Sequence, residues 1–287
     1  MAYDTILIEN NPVNVLESFH QELNQDEFNI QSVITRDMGG FWSAKFGILN
    51  PRRNYALQML SNGPGRSVKF FNEKSICVWE GFISKVTVST GAASAFNDIR
   101  PVANAVWVRY RDFTTGDLAR STVAPHANSQ AKYGRKDWVL SGGQLRSTVA
   151  DQKADNYLDF NYWATPQLDT FEVGGAGGGE IDLQIQCLGW WHTLDWRVYN
   201  QTGVVVEANA AAVVTAIVAA VGPFMLSTSI GANATQVAQE YDADRRAGGI
   251  IKSIADLGDS GGSPWIAGVG LDREFYFKAG APPTEEV

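Results

Sequence analysis

Between about Asn29 and Tyr110 this chain is a succession of short β-rich runs, each closed by a turn signal, and that pattern limits its fold more than any other feature. The runs are FNIQSVI, FWSAKFGIL, NYALQML, SVKFFN, ICVWEGFISKVTVS and NAVWVRYRDF, separated by turns such as Met38-Gly39-Gly40, Ser61-Asn62-Gly63-Pro64-Gly65 and Thr90-Gly91. Branched and aromatic side chains suit a pleated, half-buried surface, and strands this short at this spacing predict a sandwich or barrel. Within Val78 to Val88, alternation sets Phe82, Ser84, Val86 and Val88 on one face, with Ile83, Lys85 and Thr87 on the other. One of those faces should meet a core.

The period changes further along. Leu145, Val149, Ala154, Tyr157, Leu158 and Tyr162 recur near helical spacing, with Arg146, Asp151, Lys153 and Asp155 on the complementary surface. This predicts an amphipathic helix near 144–162, introduced by Ser141-Gly142-Gly143 and ended before Pro166. Strands are expected at Gln167 to Val173 and Glu180 to Trp190, joined by the glycine run Gly174 to Gly179. That run lacks the Lys-Ser/Thr of a phosphate loop and opens no helix, so it reads as a hairpin tip. Ala208 to Val221 and Ala247 to Leu257 predict two helices, and WIAGVGL and REFYFKA two strands. The division expected is an arm or edge element over 1–28, a β-barrel region over 29–200, and a small α+β domain with the polar tail PPTEEV over 201–287.

Composition narrows the function. The 287 residues are 45% hydrophobic and 19% charged, enough apolar material for a sizeable core. With 31 acidic against 23 basic residues, net −8, a general grip on nucleic-acid phosphates is disfavoured. Cys77 and Cys187 sit in apolar runs and read as buried thiols. His20, His126 and His192 have no paired spacing with cysteine or each other, so no zinc site is expected. No signal peptide is visible, and the longest apolar run, Ala210 to Val221, falls short of a membrane span.

Two constellations invite an enzyme or lectin reading. Gly258-Asp259-Ser260-Gly261-Gly262-Ser263-Pro264 nearly reproduces the GDSGGP turn of chymotrypsin-like serine proteases, with Ser260 as nucleophile. An extra Ser263 splits that motif, and His126 is the only histidine at a suitable upstream distance, so a Gly/Ser/Asp loop is preferred. Trp190-Trp191-His192 with Asp195 and Trp196 could stack on sugar, as a carbohydrate-binding module would, or set a base beside its orienter. Nine Trp spread over the whole sequence suit packing better.

Three segments in one order carry a resemblance. They are Ser67 to Val88, with Trp79-Glu80-Gly81; Ser129 to Tyr162, with Tyr133-Gly134 and the helical series Ala150, Ala154, Leu158; and Asp182 to Tyr199. The C-terminal stretch adds Arg245 and Ala247 before GIIKSIADLG, and then Leu271 to Tyr276. Together they resemble the hub proteins of phage tail tips and baseplates over roughly residues 29–277. The resemblance implies a mainly β chain with α+β elements: tail-tube-like β-barrel domains followed by a smaller α+β C-terminal domain.

It further implies a virion component at the tail tip with no catalysis and no cofactor. Such a subunit forms a homotrimer, a pseudo-sixfold ring between a tail tube or distal tail protein and a spike or fibre, with a tape measure protein as a further partner. DNA would pass through the ring without specific binding during ejection, and no membrane anchor is implied. A hexameric distal tail protein is the nearest alternative, since a second barrel is not traceable. Open strand edges would then meet neighbours in the ring. Trp107, Tyr110, Tyr133 and Trp138 are candidate interface residues, because interface centres are rich in Trp and Tyr, with core packing as the competing explanation.

Overall fold

A computed structural model describes residues 3–14, 17–24, 30–37, 40–171, 180–200, 208–237 and 244–280. The chain runs β1 (Tyr3–Glu9), β2 (His20–Asn24), β3 (Ile30–Asp37), β4 (Gly40–Leu49), α1 (Arg53–Asn62), β5 (Ser67–Asn72), β6 (Cys77–Thr90) and β7 (Ala93–Asp98). A small α/β unit follows: β8 (Ala105–Asp112), β9 (Leu118–Arg120), β10 (Ala124–Pro125), α2 (Ala127–Tyr133), β11 (Asp137–Leu145) and α3 (Ser147–Asn161). Then come β12 (Gln167–Phe171), β13 (Asp182–Gly189), a 3-10 helix (Trp190–Trp196), β14 (Ala208–Asn209), α4 (Ala210–Val221), β15 (Ser227–Ile230) and β16 (Gln236–Val237). Last are α5 (Ala247–Asp256), β17 (Trp265–Val269) and β18 (Glu274–Ala279). The protein is mainly β.

The largest sheet contains the antiparallel path β3-β4-β13-β6-β5-β1-β2. Its strands contribute to one apolar cluster: Ile6 and Ile8, Leu23, Ala44, Phe46 and Ile48, Val68 and Phe70, Trp79, Ile83 and Val86, and Leu183, Ile185 and Cys187. Phe46 and Phe70 belong to strands that are not neighbours, yet their rings meet edge-to-face with centroids 5.7 Å apart, and Phe70 meets Trp79 in the same way at 5.4 Å. A flat sheet could not bring those rings together, so the sheet curls around this interior. Each fully buried aromatic contributes about 2–3 kcal/mol of apolar transfer. The hydrogen-bonded path is open, and among the described residues no pairing joins β2 to β3.

The curl has a local cause in β6. Gln186 pairs with Lys85 while Cys187 pairs with Ile83, which leaves Ser84 as an extra residue, its hydroxyl donating to the Gln186 carbonyl at 3.0 Å. Such a bulge bends and twists the strand. It also breaks the strict alternation expected of this run. Trp79 and Ile83 enter the curled interior, and past the bulge Val86 does too, whereas Phe82 faces the other way into a second core.

That second core gathers Phe82, Ile99, Tyr133, Trp190, Trp196, Phe224, the apolar faces of α4 and α5, and Phe275 and Phe277 of β18. Residues on both sides of position 201 share this core. Strands β17 and β18 also continue the large sheet through Val269 beside Gly40. A third core lies in the small unit, where α3 sets Ala150, Ala154 and Leu158 on Val106, Val108 and Tyr110 of β8. In the amphipathic helix the buried stripe runs through Ala150, while Val149 is exposed.

One further expectation changes. The run NYALQML is helix α1: Ala, Leu, Gln and Met favour helix, and Ala56, Met59 and Leu60 form a buried i, i+3, i+4 stripe. The N-terminal segment takes the edge form of the two expected for it, as β1 pairs with β5 and β2 closes that side of the sheet. The glycine run Gly174 to Gly179 lies outside the described residues.

Candidate functional site

The motifs that carry the resemblance are joints between the three cores. Trp79 fills the curled interior, Glu80 points to the opposite face, and Gly81 lies where any Cβ would collide with the Leu188 carbonyl and the Trp79 ring. The Glu80 carboxylate accepts the backbone N–H of Arg273 at 2.6 Å. That links Trp-Glu-Gly to the Leu271 to Tyr276 stretch, where Asp272 and Arg273 take φ of 57° and 55°. Burial raises the Glu80 pKa, and the Arg273 N–H opposes the rise.

Tyr133-Gly134 is a second joint. Tyr133 is buried edge-on to Trp163, and Gly134 has φ of 80° in a place where a Cβ would strike the Phe224 ring. Asn104 binds around it, donating to the Gly134 carbonyl at 2.9 Å and to the Ser129 hydroxyl at 3.1 Å, and accepting the Lys136 N–H. A third joint is the buried Asp137 carboxylate, which accepts from Arg135 Nε at 2.7 Å, Arg197 Nε at 3.1 Å and the Val198 N–H at 2.9 Å.

Of the four candidate interface aromatics, three sit inside. Trp107, Tyr110 and Tyr133 are 5%, 4% and 1% exposed. Trp138 is half-buried, stacked on Tyr157 of α3 with centroids 6.0 Å apart. Core packing describes their surroundings, since alternation in β8 and β11 cannot distinguish a face covered by its own helix from one covered by a neighbour.

The exposed apolar side chains lie elsewhere. Strand β12 is exposed along its whole length, with Leu168 and Phe171 outward, and it pairs through β7 on the outer half of β6. Phe160 near the end of α3 is 88% exposed. On the face of β8 away from α3, a cleft of about 590 Å³ is lined by Arg109, Arg111, Leu118, Val139, Ser141 and Asp244. Asp244 is ion-paired with Arg120 at 3.0 Å and Arg109 at 3.6 Å. Sequence reasoning missed this cleft; its one local signal is Arg109 and Arg111 two apart in a strand, hence on one face.

Ser260 is exposed in the loop between α5 and β17. Asp259 organises that loop, accepting the N–H groups of Gly261 and Ser263, both at 2.9 Å, and the Trp265 indole at 3.3 Å. These bonds, that of Ser263 first, hold its carboxyl below the usual range. His126 is engaged in the small unit, where Nδ1 accepts the Ser129 N–H and the ring stacks on Tyr162. Trp190, Trp191 and Trp196 are buried, with Trp190 stacked on Phe224, so no exposed indole platform forms at this stretch. Burial raises the Asp195 pKa.

Both cysteines are free thiols; Cys187 is buried and Cys77 is half-buried, pushed up to about 11 mainly by burial. Among the described residues, no group of three His, Cys, Asp or Glu side chains converges as a metal site requires. Nor is any described helix long and apolar enough to cross a membrane. Comparison with protein-family models, with curated proteins and with solved structures finds no match.

Proposed function

We propose that this chain is a structural subunit of a phage tail tip: a hub ring that joins the tail tube to the distal spike or fibre and forms part of the DNA channel. The observation that carries the reading is the curled sheet with a single interior and, among the described residues, edges at β2, β3 and β12 that pair with no other strand. The path holds seven strands with β2 and β3, close in sequence, at its two ends, which supports a barrel of the tail-tube kind completed in the assembly. Bare strand edges, with Leu168 and Phe171 exposed on β12, favour a subunit completed by neighbours over one that works alone.

The motifs behind the resemblance hold cores together, which suits a mechanical part. Three copies would match a threefold spike on one side, and the resemblance implies two tube-like faces per copy toward a sixfold tube, one of them the curled sheet. Partners in this reading are the tail tube or distal tail protein, the tape measure protein and the spike or fibre. A net charge of −8 suits a channel that releases DNA.

Negative-stain images and native mass measurement of the purified chain test the reading. Rings of three are expected, and rings of six would move the assignment to a distal tail protein. A chain that stays single at high concentration, alone and with tail-tube protein, would overturn both. A fluorophosphonate probe is expected to leave Ser260 unlabelled, and labelling there would replace the structural reading with a hydrolase.

A further inference from the structure

We propose that the arginine cleft of the small α/β unit receives the exposed C-terminal end of α3 from a second copy of this chain, forming a head-to-tail contact; this rests on the ring reading and names its interface. The two surfaces lie on opposite sides of one unit. Strand β8 packs Val106, Val108 and Tyr110 against α3, while Arg109 and Arg111 alternate to the other face and line the cleft, whose edge Tyr110 and Leu140 also reach. A contact between opposite faces cannot be satisfied by a twofold pair. Repeated, it makes a ring when the rotation closes.

The inserting end is unfavourable as it stands. Asp155 and Asp159 are exposed one turn apart, so like charges face each other at i, i+4. Both lie in the second half of α3, whose last turn has no basic residue, although the negative end of a helix favours cations. Beside them Phe160 is exposed at 88%.

The cleft supplies what that end lacks. Arg109 and Arg111 offer guanidinium groups to the two carboxylates, and Leu118, with 63% exposure, and Val139 offer apolar surface to the ring. Its volume of about 590 Å³ has room for a phenylalanine side chain with its neighbours. Asp244 on the wall is already paired with Arg109 and Arg120, so the cleft keeps a positive balance for the two carboxylates, and the apolar Leu118 and Val139 suit an aromatic protein segment better than a phosphate backbone.

Sedimentation velocity on three chains tests this: wild type, Phe160→Ser and Arg111→Glu. Each variant is expected to weaken self-association about a hundredfold, as loss of a central anchor does, with the melting temperature of the single chain unchanged. Asp155→Lys with Asp159→Lys gives a second variant of the inserting end and is expected to match Phe160→Ser. An equimolar mixture of the Phe160→Ser and Arg111→Glu chains keeps one intact cleft and one intact inserting end, so it is expected to stop at pairs. Rings that survive Phe160→Ser, or a mixture that rebuilds rings or fails to pair, would overturn this interface while leaving the hub reading in place. A wild-type chain that never assembles would overturn the hub reading itself.

Discussion

Trp79→Ala is expected to unfold the curled sheet as a whole. The indole is fully buried, contributes to the cluster shared by the strands around the curl, and meets Phe70 edge-on. Truncating a buried Trp costs about 3–5 kcal/mol, a large share of the roughly 5–15 kcal/mol that holds a domain folded. Gly81→Ala is expected to act at the same place by the opposite route, because its methyl group has only the Leu188 carbonyl and the Trp79 ring to enter. Overpacking of this kind costs about 1–3 kcal/mol or more, since a backbone carbonyl in a paired strand cannot step aside. Urea unfolding followed by far-ultraviolet circular dichroism measures both. A loss below about 1 kcal/mol for Trp79→Ala would mean that the interior is looser than its contacts indicate.

The second large effect is a dependence of stability on pH that traces mainly to one side chain. Lys136 is completely buried, its Nζ donates to the Ile99 carbonyl at 2.7 Å and lies 4.4 Å from the Trp196 ring, and Asp98 and Arg246 act on it with opposite sign. Burial pushes its pKa down from 10.5 to about 7. Between those values the unfolded chain holds a proton that the folded chain lacks, so stability rises as pH increases through this window. Below about pH 7 the folded chain carries the buried charge and its cost is complete.

Other groups act in neighbouring windows and in the opposite direction. Glu80 and Asp195, raised by burial, reduce stability as pH rises through the acidic range, and the raised thiols of Cys77 and Cys187 do so above the ordinary thiol pKa. Lys132, also lowered by burial, adds a slope of the same sign, and the completely buried Lys136 carries the greater part of it between pH 7 and about 8.5. Lys136→Met is expected to flatten the slope there and to stabilise the chain at pH 6 by about 1–3 kcal/mol, after the loss of the Ile99 hydrogen bond. Thermal melts at pH 6, 7 and 8.5 give the comparison, and parallel profiles for the two chains would show that this ammonium is not the source.

Much of the secondary structure was legible because it repeats locally. Strand β5 begins and ends where SVKFFN does, β6 differs from its expected run by one residue at each end, and α3, α4 and α5 fall within the expected helical stretches. What was hidden depends on partners remote in sequence. Alternation in Val78 to Val88 gives no sign of the bulge at Ser84, which arises from pairing with Gln186 and Cys187 of β13. NYALQML reads as a strand among its β-rich neighbours, whereas its helix-forming residues and the buried stripe of Ala56, Met59 and Leu60 make it a helix. The candidate site was least legible: for Trp107, Tyr110 and Tyr133 the sequence weighs core packing above an interface without deciding between them, and the cleft joins arginines of β8 to Asp244 from the far end of the chain.

The position of β13 also has a kinetic consequence. It lies between β4 and β6, but β6 ends at Thr90 and β13 begins at Asp182, with the whole small α/β unit translated in the interval. On the ribosome both neighbours wait with one flank bare while that unit, rich in local contacts, is free to form first. Closing so long a loop makes completion of the sheet late and slow. Nascent chains that stop before Gly189 therefore present two aromatic strands to any passing polypeptide, and chaperone demand is greatest at that point of synthesis.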